Sequence, residues 1–224
     1  MRVLALLPAY NEAETIGAVI DGVSLHVDEV VVVDDGSTDR TEEVARAHGA
    51  SVIKHVINTG VGGAQRTGYR YAIRNGFDFV VQIDADGQHD PDFVPELLEE
   101  ATDSDMVIGS RYLNNSYSEY SLIRKIGIRF FTWVVNLLGG LAITDVTSGF
   151  RVYRVDKLED IIYHSDKHWA VEQTLQAAKK DVEIKEVSVS MPVRKKGESQ
   201  FTIDTLLFYP IRMMDVIMRV IVFR

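Results

Sequence analysis

The chain has 224 residues, a formal net charge of −9, 46% hydrophobic residues, 25% charged residues and no cysteine. The acidic balance argues against a nucleic-acid binder, and the lack of cysteine excludes a disulfide framework, a thiolate metal site and a cysteine nucleophile. The length suits one large domain, or one domain with a small appendage, with a full core and no need of covalent staples.

The N-terminal residues Met1 to Pro8 are too soon interrupted for a signal peptide. Val3 to Leu7 reads as a buried strand. Pro8-Ala9-Tyr10-Asn11-Glu12 follows as a strand-to-helix turn, in which Asn11 is placed to cap a helix carrying Ile16, Val19, Ile20 and Val23. Glu29 to Val33 is a second, β-branched strand. It ends in Asp34-Asp35-Gly36-Ser37-Thr38-Asp39, and Thr38 or Ser37 is the expected N-cap of a helix from about Arg40 to His48. Ser51 to His55 is a third strand. Gly60, Gly62 and Gly63 then lead into a helix reaching about Asn75. They do not form a dinucleotide fingerprint, since the third glycine would fall at Gln65, and they read as permitting a tight turn and close helix packing.

The fourth strand, Phe77 to Asp84, carries the most informative stretch. The strand is expected to close on Asp84, with Asp86 in the following loop and Gln88 two residues on. Two hard oxygen donors and an amide suit Mg²⁺ or Mn²⁺, which bind through a few carboxylates and substrate phosphates. The bland alternative is a solvated Asp-Gly turn. An EF-hand loop does not fit: Gly87 is fourth rather than sixth, and the twelfth position is Pro95. A phosphatase of the haloacid-dehalogenase type does not fit either, because Gln88 stands where that motif has threonine.

A helix over Pro91 to Thr102 and a strand over Asp105 to Gly109 complete an alternating first half. That alternation predicts an α/β fold with a mostly parallel sheet and helices on both faces. The polar clusters at Pro8 to Glu12, Asp34 to Asp39 and Asp84 to Gln88 would then lie along one sheet edge, where α/β folds bind ligands.

Beyond this, Ser121 to Ile143 reads as one long helix, basic at Arg124, Lys125 and Arg129 and aromatic at Phe130, Phe131 and Trp133. Asp145 to Arg151 is a polar turn into a short strand, Trp169 to Lys179 a helix with Glu172, and Val182 to Val193 extended. Residues 194–200 form a basic loop. In the tail, Leu206 to Arg224, the charges Arg212, Asp215 and Arg219 fall on one helix face and leave a broad apolar one. This amphipathic helix either docks on the domain or lies in a membrane interface. No apolar run reaches the length of about 18 residues that a membrane span needs. The expected organisation is a domain over 1–203 and an amphipathic C-terminal helix over 204–224.

Six motifs occur in order: Pro8-Ala9-Tyr10-Asn11-Glu12, Val33-Asp34-Asp35-Gly36-Ser37-Thr38-Asp39, Asp84-Ala85-Asp86-Gly87-Gln88-His89-Asp90-Pro91, Gly109-Ser110-Arg111, Ser148-Gly149-Phe150-Arg151, and Arg194 with Gly197 and Ser199. Together they resemble the family 2 glycosyltransferases of the dolichyl-phosphate mannose synthase type, over roughly residues 1 to 202. The resemblance implies a GT-A fold and metal-dependent transfer of a hexose from a nucleotide-sugar, GDP-mannose or a UDP-hexose, to dolichyl or polyprenyl phosphate. By that similarity Pro8, Tyr10, Glu12, Val33 and Asp35 hold the nucleoside part. Asp84, Asp86 and Gln88 bind Mg²⁺ or Mn²⁺ under the diphosphate, with the Ala85 backbone nearby. Arg111 and Arg124 hold phosphate, and Arg194 closes over the donor. Gln200, also placed on the donor side, departs from the type, which usually has lysine there.

Direct in-line attack would invert the anomeric centre. The implied setting is peripheral, on the cytoplasmic face of a membrane, with a small membrane-anchoring protein as a further partner. Two other readings stay open. One is transfer to a sugar hydroxyl with Glu172 or Asp145 as base. The other is a non-catalytic subunit that binds nucleotide-sugar.

Overall fold

The computed structural model describes residues 1–113, 122–159, 161, 168–191 and 214–222, except the side chains of 123 and 124. Seven strands form one sheet: β1 (Val3–Ala9), β2 (Glu29–Asp34), β3 (Ser51–Lys54), β4 (Phe79–Gln82), β5 (Met106–Ser110), β6 (Arg151–Arg154) and β7 (Ile184–Ser188). The helices are α1 (Ile16–Val23), α2 (Thr41–Ala47), α3 (Val61–Arg74), α4 (Val94–Ala101), α5 (Leu122–Gly139), α6 (Trp169–Lys179) and a tail helix α7 over 214–222.

The strand order is β3-β2-β1-β4-β6-β5-β7. All pairs are parallel except those of β6, which runs antiparallel between β4 and β5. Because β6 is reversed, its start lies on the same edge as the ends of β1, β2, β4 and β5. The loop before β6 is thereby delivered to the ligand edge.

Strands β1, β2, β4 and β5 are buried on both faces almost throughout, as a sheet covered on both sides requires. Leu4, Leu6, Val31, Val33, Val80 and Tyr153 face a core shared with α3, α5, α6 and α7. Their neighbours Val3, Ala5, Leu7, Val30, Val32, Val81 and Val152 face the opposite core under α1, α2 and α4. The alternation is the period of 2 that strand geometry imposes.

Several boundaries differ from expectation. The fourth strand ends at Gln82, not at Asp84, because the Asp84 N–H turns off the ladder to the His89 Nδ1 at 3.0 Å. The helix expected from Pro91 splits into a 3₁₀ turn, Pro91–Phe93, and α4. Pro95 has no N–H to give to the Pro91 carbonyl, so one continuous α-helix cannot form. The long helix stops at Gly139 rather than reaching Ile143. Gly140 takes a φ of +63° and the Leu141 N–H returns to the Asn136 carbonyl, a glycine stop.

Helix α7 docks on the domain through Val216, Ile217 and Val220, and Lys179 Nζ donates to the Val220 carbonyl at 2.6 Å. Its Asp215 and Arg219 pair on the exposed side at 2.6 Å.

Helix α3 crosses the sheet where only glycine fits. A Cβ on Gly68 would lie 2.1 Å from Leu6 Cδ1, whereas one on Gly127 in α5 would meet nothing within 4 Å. Gly68→Ala is expected to lower stability by about 1–3 kcal/mol in urea unfolding. Gly127→Ala should raise it by roughly 0.5–1 kcal/mol. Equal effects of the two would contradict this packing.

Candidate functional site

The ends of β1 and β2 interlock. Asn11, at a φ of +56°, donates its N–H to Ser37 Oγ at 2.9 Å, and its Oδ1 accepts the Thr38 N–H at 2.9 Å. Glu12 N–H donates to Thr41 Oγ1 at 2.9 Å, and Ala13 N–H to Asp39 Oδ2 at 3.1 Å. These bonds correct three capping expectations. Asn11 does not cap α1, whose N-cap is Thr15, and neither Ser37 nor Thr38 caps α2. Asp39 Oδ1 takes the Thr41 N–H instead. The expected caps are engaged in joining two strand ends, which outranks local helix capping here.

Tyr10 stands 43% exposed beyond β1, while Pro8 and Val33 are buried in neighbouring register positions. Glu12 is half-buried, and its Oε2 accepts from Thr15 Oγ1 at 3.1 Å. Asp35 is buried just past β2 and accepts from Thr59 N–H and Thr59 Oγ1, at 2.9 and 2.7 Å.

On the other side of β1, Asp84, Ala85, Asp86 and Gln88 occupy one turn after β4. Ala85 is buried, the two carboxylates are half-exposed, and the Gln88 N–H donates to Asp86 Oδ1 at 3.0 Å. His89 is buried beneath them and stacks on Phe150, with ring centroids 5.0 Å apart. Burial pushes the imidazole down to about 4, against the pull of the Asp86 carboxylate. His89 is therefore neutral near pH 7. Its Nδ1 accepts the Asp84 N–H, so Nε2 carries the proton and faces Asp84 Oδ2 at 3.6 Å.

The loop before β6 presses against this turn. A Cβ on Gly149 would stand 3.1 Å from Asp84 Oδ2. Gln82 fixes that approach: its Nε2 donates to the Gly149 carbonyl at 2.9 Å, and its Oε1 accepts from the Tyr69 hydroxyl.

Arg111 follows β5 and is almost fully buried. Its Nε and Nη2 grip the two oxygens of Asp145 at 2.6 and 2.7 Å, and Nη2 also donates to Thr147 Oγ1 at 2.8 Å. Burial raises the Asp145 carboxyl, but the Arg111 charge and the bonds from Arg111 and Thr147 outweigh it and hold the group below 3.8. Glu186 from β7 supports the same loop by accepting from Thr144 N–H and Asp145 N–H, at 2.7 and 2.9 Å. Glu172 is buried on α6 and accepts from Gln176 Nε2 at 3.3 Å.

Arg124 belongs to α5, but its side chain lies outside what is described, and Arg194 and Gln200 lie outside the described residues.

Among the described residues no three His, Asp or Glu side chains form a metal cage. Asp84 and Asp86 nonetheless fit a divalent cation that takes its other ligands from phosphate. They are two partly exposed hard donors, and the imidazole behind them is uncharged.

Sequence reasoning did not find Gly149, Gln82 or the support of the Asp84 turn by His89. Gly149 stood in a quoted motif, but its role needs β6 beside β4.

Residues 5–162 match the family described as Glycosyl transferase family 2. The chain is 34% identical to the undecaprenyl-phosphate mannosyltransferase of Micrococcus luteus, over 90% of this chain and 88% of that protein. It is 33% identical to the UDP-N-acetylglucosamine–dolichyl-phosphate N-acetylglucosaminyltransferase of Methanococcus voltae, over 69% and 70%. Among solved structures it is similar to glucosyl-3-phosphoglycerate synthase from Mycobacterium tuberculosis in complex with Mn²⁺, UDP-glucose and phosphoglyceric acid. That likeness has a TM-score of 0.75 at 22% identity, over 98% of this chain and 79% of that one. It shows the shared GT-A fold.

Asp145→Asn keeps the shape of the side chain but removes the negative charge that faces the buried Arg111 cation. It is expected to cost about 3–5 kcal/mol at pH 7. Because the native carboxyl is held below its ordinary 3.8, the pair's contribution is full above that value and is lost as pH falls from it through the lowered native one. The substitution should therefore flatten the acid limb of a stability–pH profile. A profile parallel to that of the unsubstituted chain would refute the assignment.

Proposed function

The chain belongs to glycosyl transferase family 2, and on that premise we propose that this glycosyltransferase moves a hexose from a nucleotide-sugar to a polyprenyl phosphate. The observation that carries the acceptor class is the state of Asp145. A sugar hydroxyl needs a carboxylate base to take its proton. Asp145 is held by Arg111 and kept ionised below its ordinary range, which makes it a poor proton acceptor. Glu172 is buried on α6 beside Gln176. A phosphate acceptor brings an oxygen already ionised near neutral pH and needs orientation rather than a base. The names of the relatives from Micrococcus luteus and Methanococcus voltae support the same class of acceptor.

In this reading Tyr10, Glu12 and Asp35 line the nucleoside side, with Pro8 and Val33 as its buried floor. Asp84 and Asp86, with Gln88, would hold Mg²⁺ or Mn²⁺, and the Ala85 backbone lies beside the diphosphate. When bound, the cation supplies Lewis-acid neutralisation of the leaving nucleoside diphosphate. The solved structure of similar fold was obtained with Mn²⁺ and UDP-glucose, which supports the use of a divalent cation and a nucleotide-sugar. Arg111, with Arg124 and Arg194, is assigned to phosphate oxygens, and Gln200 to the donor side. In-line attack by the acceptor oxygen inverts the anomeric carbon, so an α-linked donor gives a β-linked product.

A polyprenyl-phosphate acceptor also implies work at a membrane surface, and we take the face to be the cytoplasmic one. Leu122, Ile126, Phe130, Trp133 and Leu137 form one exposed stripe along α5, with 51% of Phe130 and 59% of Trp133 open. Among the described residues no helix is long and apolar enough to cross a membrane. The stripe supports peripheral docking. The comparisons do not support a separate anchoring protein.

Labelled-sugar transfer to polyprenyl phosphate, run over a panel of GDP- and UDP-sugars with Mg²⁺ or Mn²⁺, tests the activity. One donor should give lipid-linked product, and Asp86→Ala should reduce the rate by roughly 100-fold or more. No product from any donor would sink the reading. In vesicle sedimentation with anionic lipid, the Phe130→Glu, Trp133→Glu double variant should bind at least about tenfold more weakly. Equal binding would remove α5 from the membrane contact.

A further inference from the structure

Asp35 is not held by its own strand. It is the meeting point of a second loop, residues 55–60, that leaves the neighbouring strand β3. His55 Nδ1 lies 2.6 Å from Asp35 Oδ1, and because a carboxylate only accepts, the imidazole donates there. Thr59 Oγ1 donates to the same oxygen at 2.7 Å, and the Thr59 N–H spans Oδ1 and Oδ2 at 2.9 and 3.1 Å. Oδ1 thus receives three donors and Oδ2 one long bond. Acceptor capacity remains on Oδ2 for a ring N–H, which both uracil and guanine present. The far side of His55 is tethered too: Nε2 lies 2.9 Å from Thr67 Oγ1 on α3. The loop folds directly over Gly36, where a Cβ would meet the Ile57 and Asn58 backbone at 3.1 Å. The fold therefore leaves Val56 and Ile57 exposed beside the end of β2.

We propose that His55 is a positioning residue for the nucleoside half of the donor: through Asp35 and Thr59 it fixes which carboxylate oxygen meets the base and where the 55–60 loop stands. The inference rests on the donor being a nucleotide-sugar. An aspartate side chain left with fewer donors samples other rotamers, and a base must then select the competent one. The loss falls on donor binding and not on the chemical step, because His55 is tied to the β2–β3 end of the edge while the diphosphate turn follows β4.

The test is equilibrium binding of UDP and of GDP with Mg²⁺, and of UMP and GMP with chelator, to the full chain and to His55→Ala, His55→Asn and Thr67→Val. In His55→Ala the affinity for whichever nucleotide the unsubstituted chain binds should fall by roughly five- to tenfold, the scale of one ordinary hydrogen bond. The monophosphate should show the same factor, since the effect lies on the base side. In transfer assays the donor KM should rise with it, while kcat at saturating donor stays within about twofold. Asparagine keeps a donor near the place of Nδ1, so His55→Asn should restore affinity to within about twofold. Thr67→Val, which cuts only the far tether, should weaken binding in the same direction by less. Unchanged affinity in His55→Ala overturns the proposal. So does a loss confined to the diphosphate with metal, or a loss that asparagine does not restore. If the unsubstituted chain binds neither UDP nor GDP, the nucleotide-sugar reading itself falls, and the inference with it. That result is distinct from binding that His55 does not influence.

Discussion

A fully buried arginine must find an acceptor for its N–H groups, and the one at the head of β6 organises the second half of this protein. Arg151 donates from Nε to the Ser148 carbonyl at 2.8 Å and from Nη2 to the Val146 carbonyl at 2.9 Å. Its Nη1 reaches Thr174 Oγ1 at 3.2 Å and, more weakly, Gln173 Oε1 at 3.4 Å on α6. The guanidinium lies over the Trp169 ring, 5.2 Å from its centroid. A buried charge without such partners would cost several kcal/mol, so the loop has one arrangement that satisfies it. That loop carries Asp145 at one end and Gly149 near the other. Arg151 therefore holds in place both the grip on Arg111 and the backbone that abuts Asp84, while touching neither carboxylate turn itself.

The site is a set of strand ends made rigid by different means on the two sides of β1. Towards β2 the rigidity comes from short side chains bonding to backbone N–H groups: Asn11, Ser37, Thr41 and Asp39 tie one loop to the next. Towards β4 it comes from buried rings and amides, with His89 on Phe150 and Gln82 between Tyr69 and Gly149. Few of these groups are themselves candidates for touching a ligand. Preorganised sites depend on such supports, because a carboxylate that must be reoriented on binding loses part of the interaction it makes.

The alternation of strand and helix, the two-sided burial of the strands and the edge on which the polar clusters fall were all legible in the chain. Each depends on local periodicity, and Val30 to Val33 or Val3 to Leu7 leave few other readings. Helix ends were less legible where a residue had two uses. Asn11, Ser37 and Thr38 are good caps by type, but they bond across strand ends because those ends are adjacent in the folded sheet. The end of β4 was misread for a similar reason: nothing local says that His89, five residues ahead, takes the Asp84 N–H.

The sequence by itself determined the fold class, the two cores and the residue types at the ligand edge, because hydrophobic period and strand-end position follow from neighbours along the chain. Tertiary structure decided what those residues do to each other. The reversal of β6 between β4 and β5 puts Gly149 against Asp84. The pairing of Arg111 with Asp145 turns a candidate base into an anchor. The 55–60 loop brings His55 onto Asp35. These are contacts between segments that neither period nor propensity relates, and they form because a buried charge or polar group must find its partner wherever the topology has placed one.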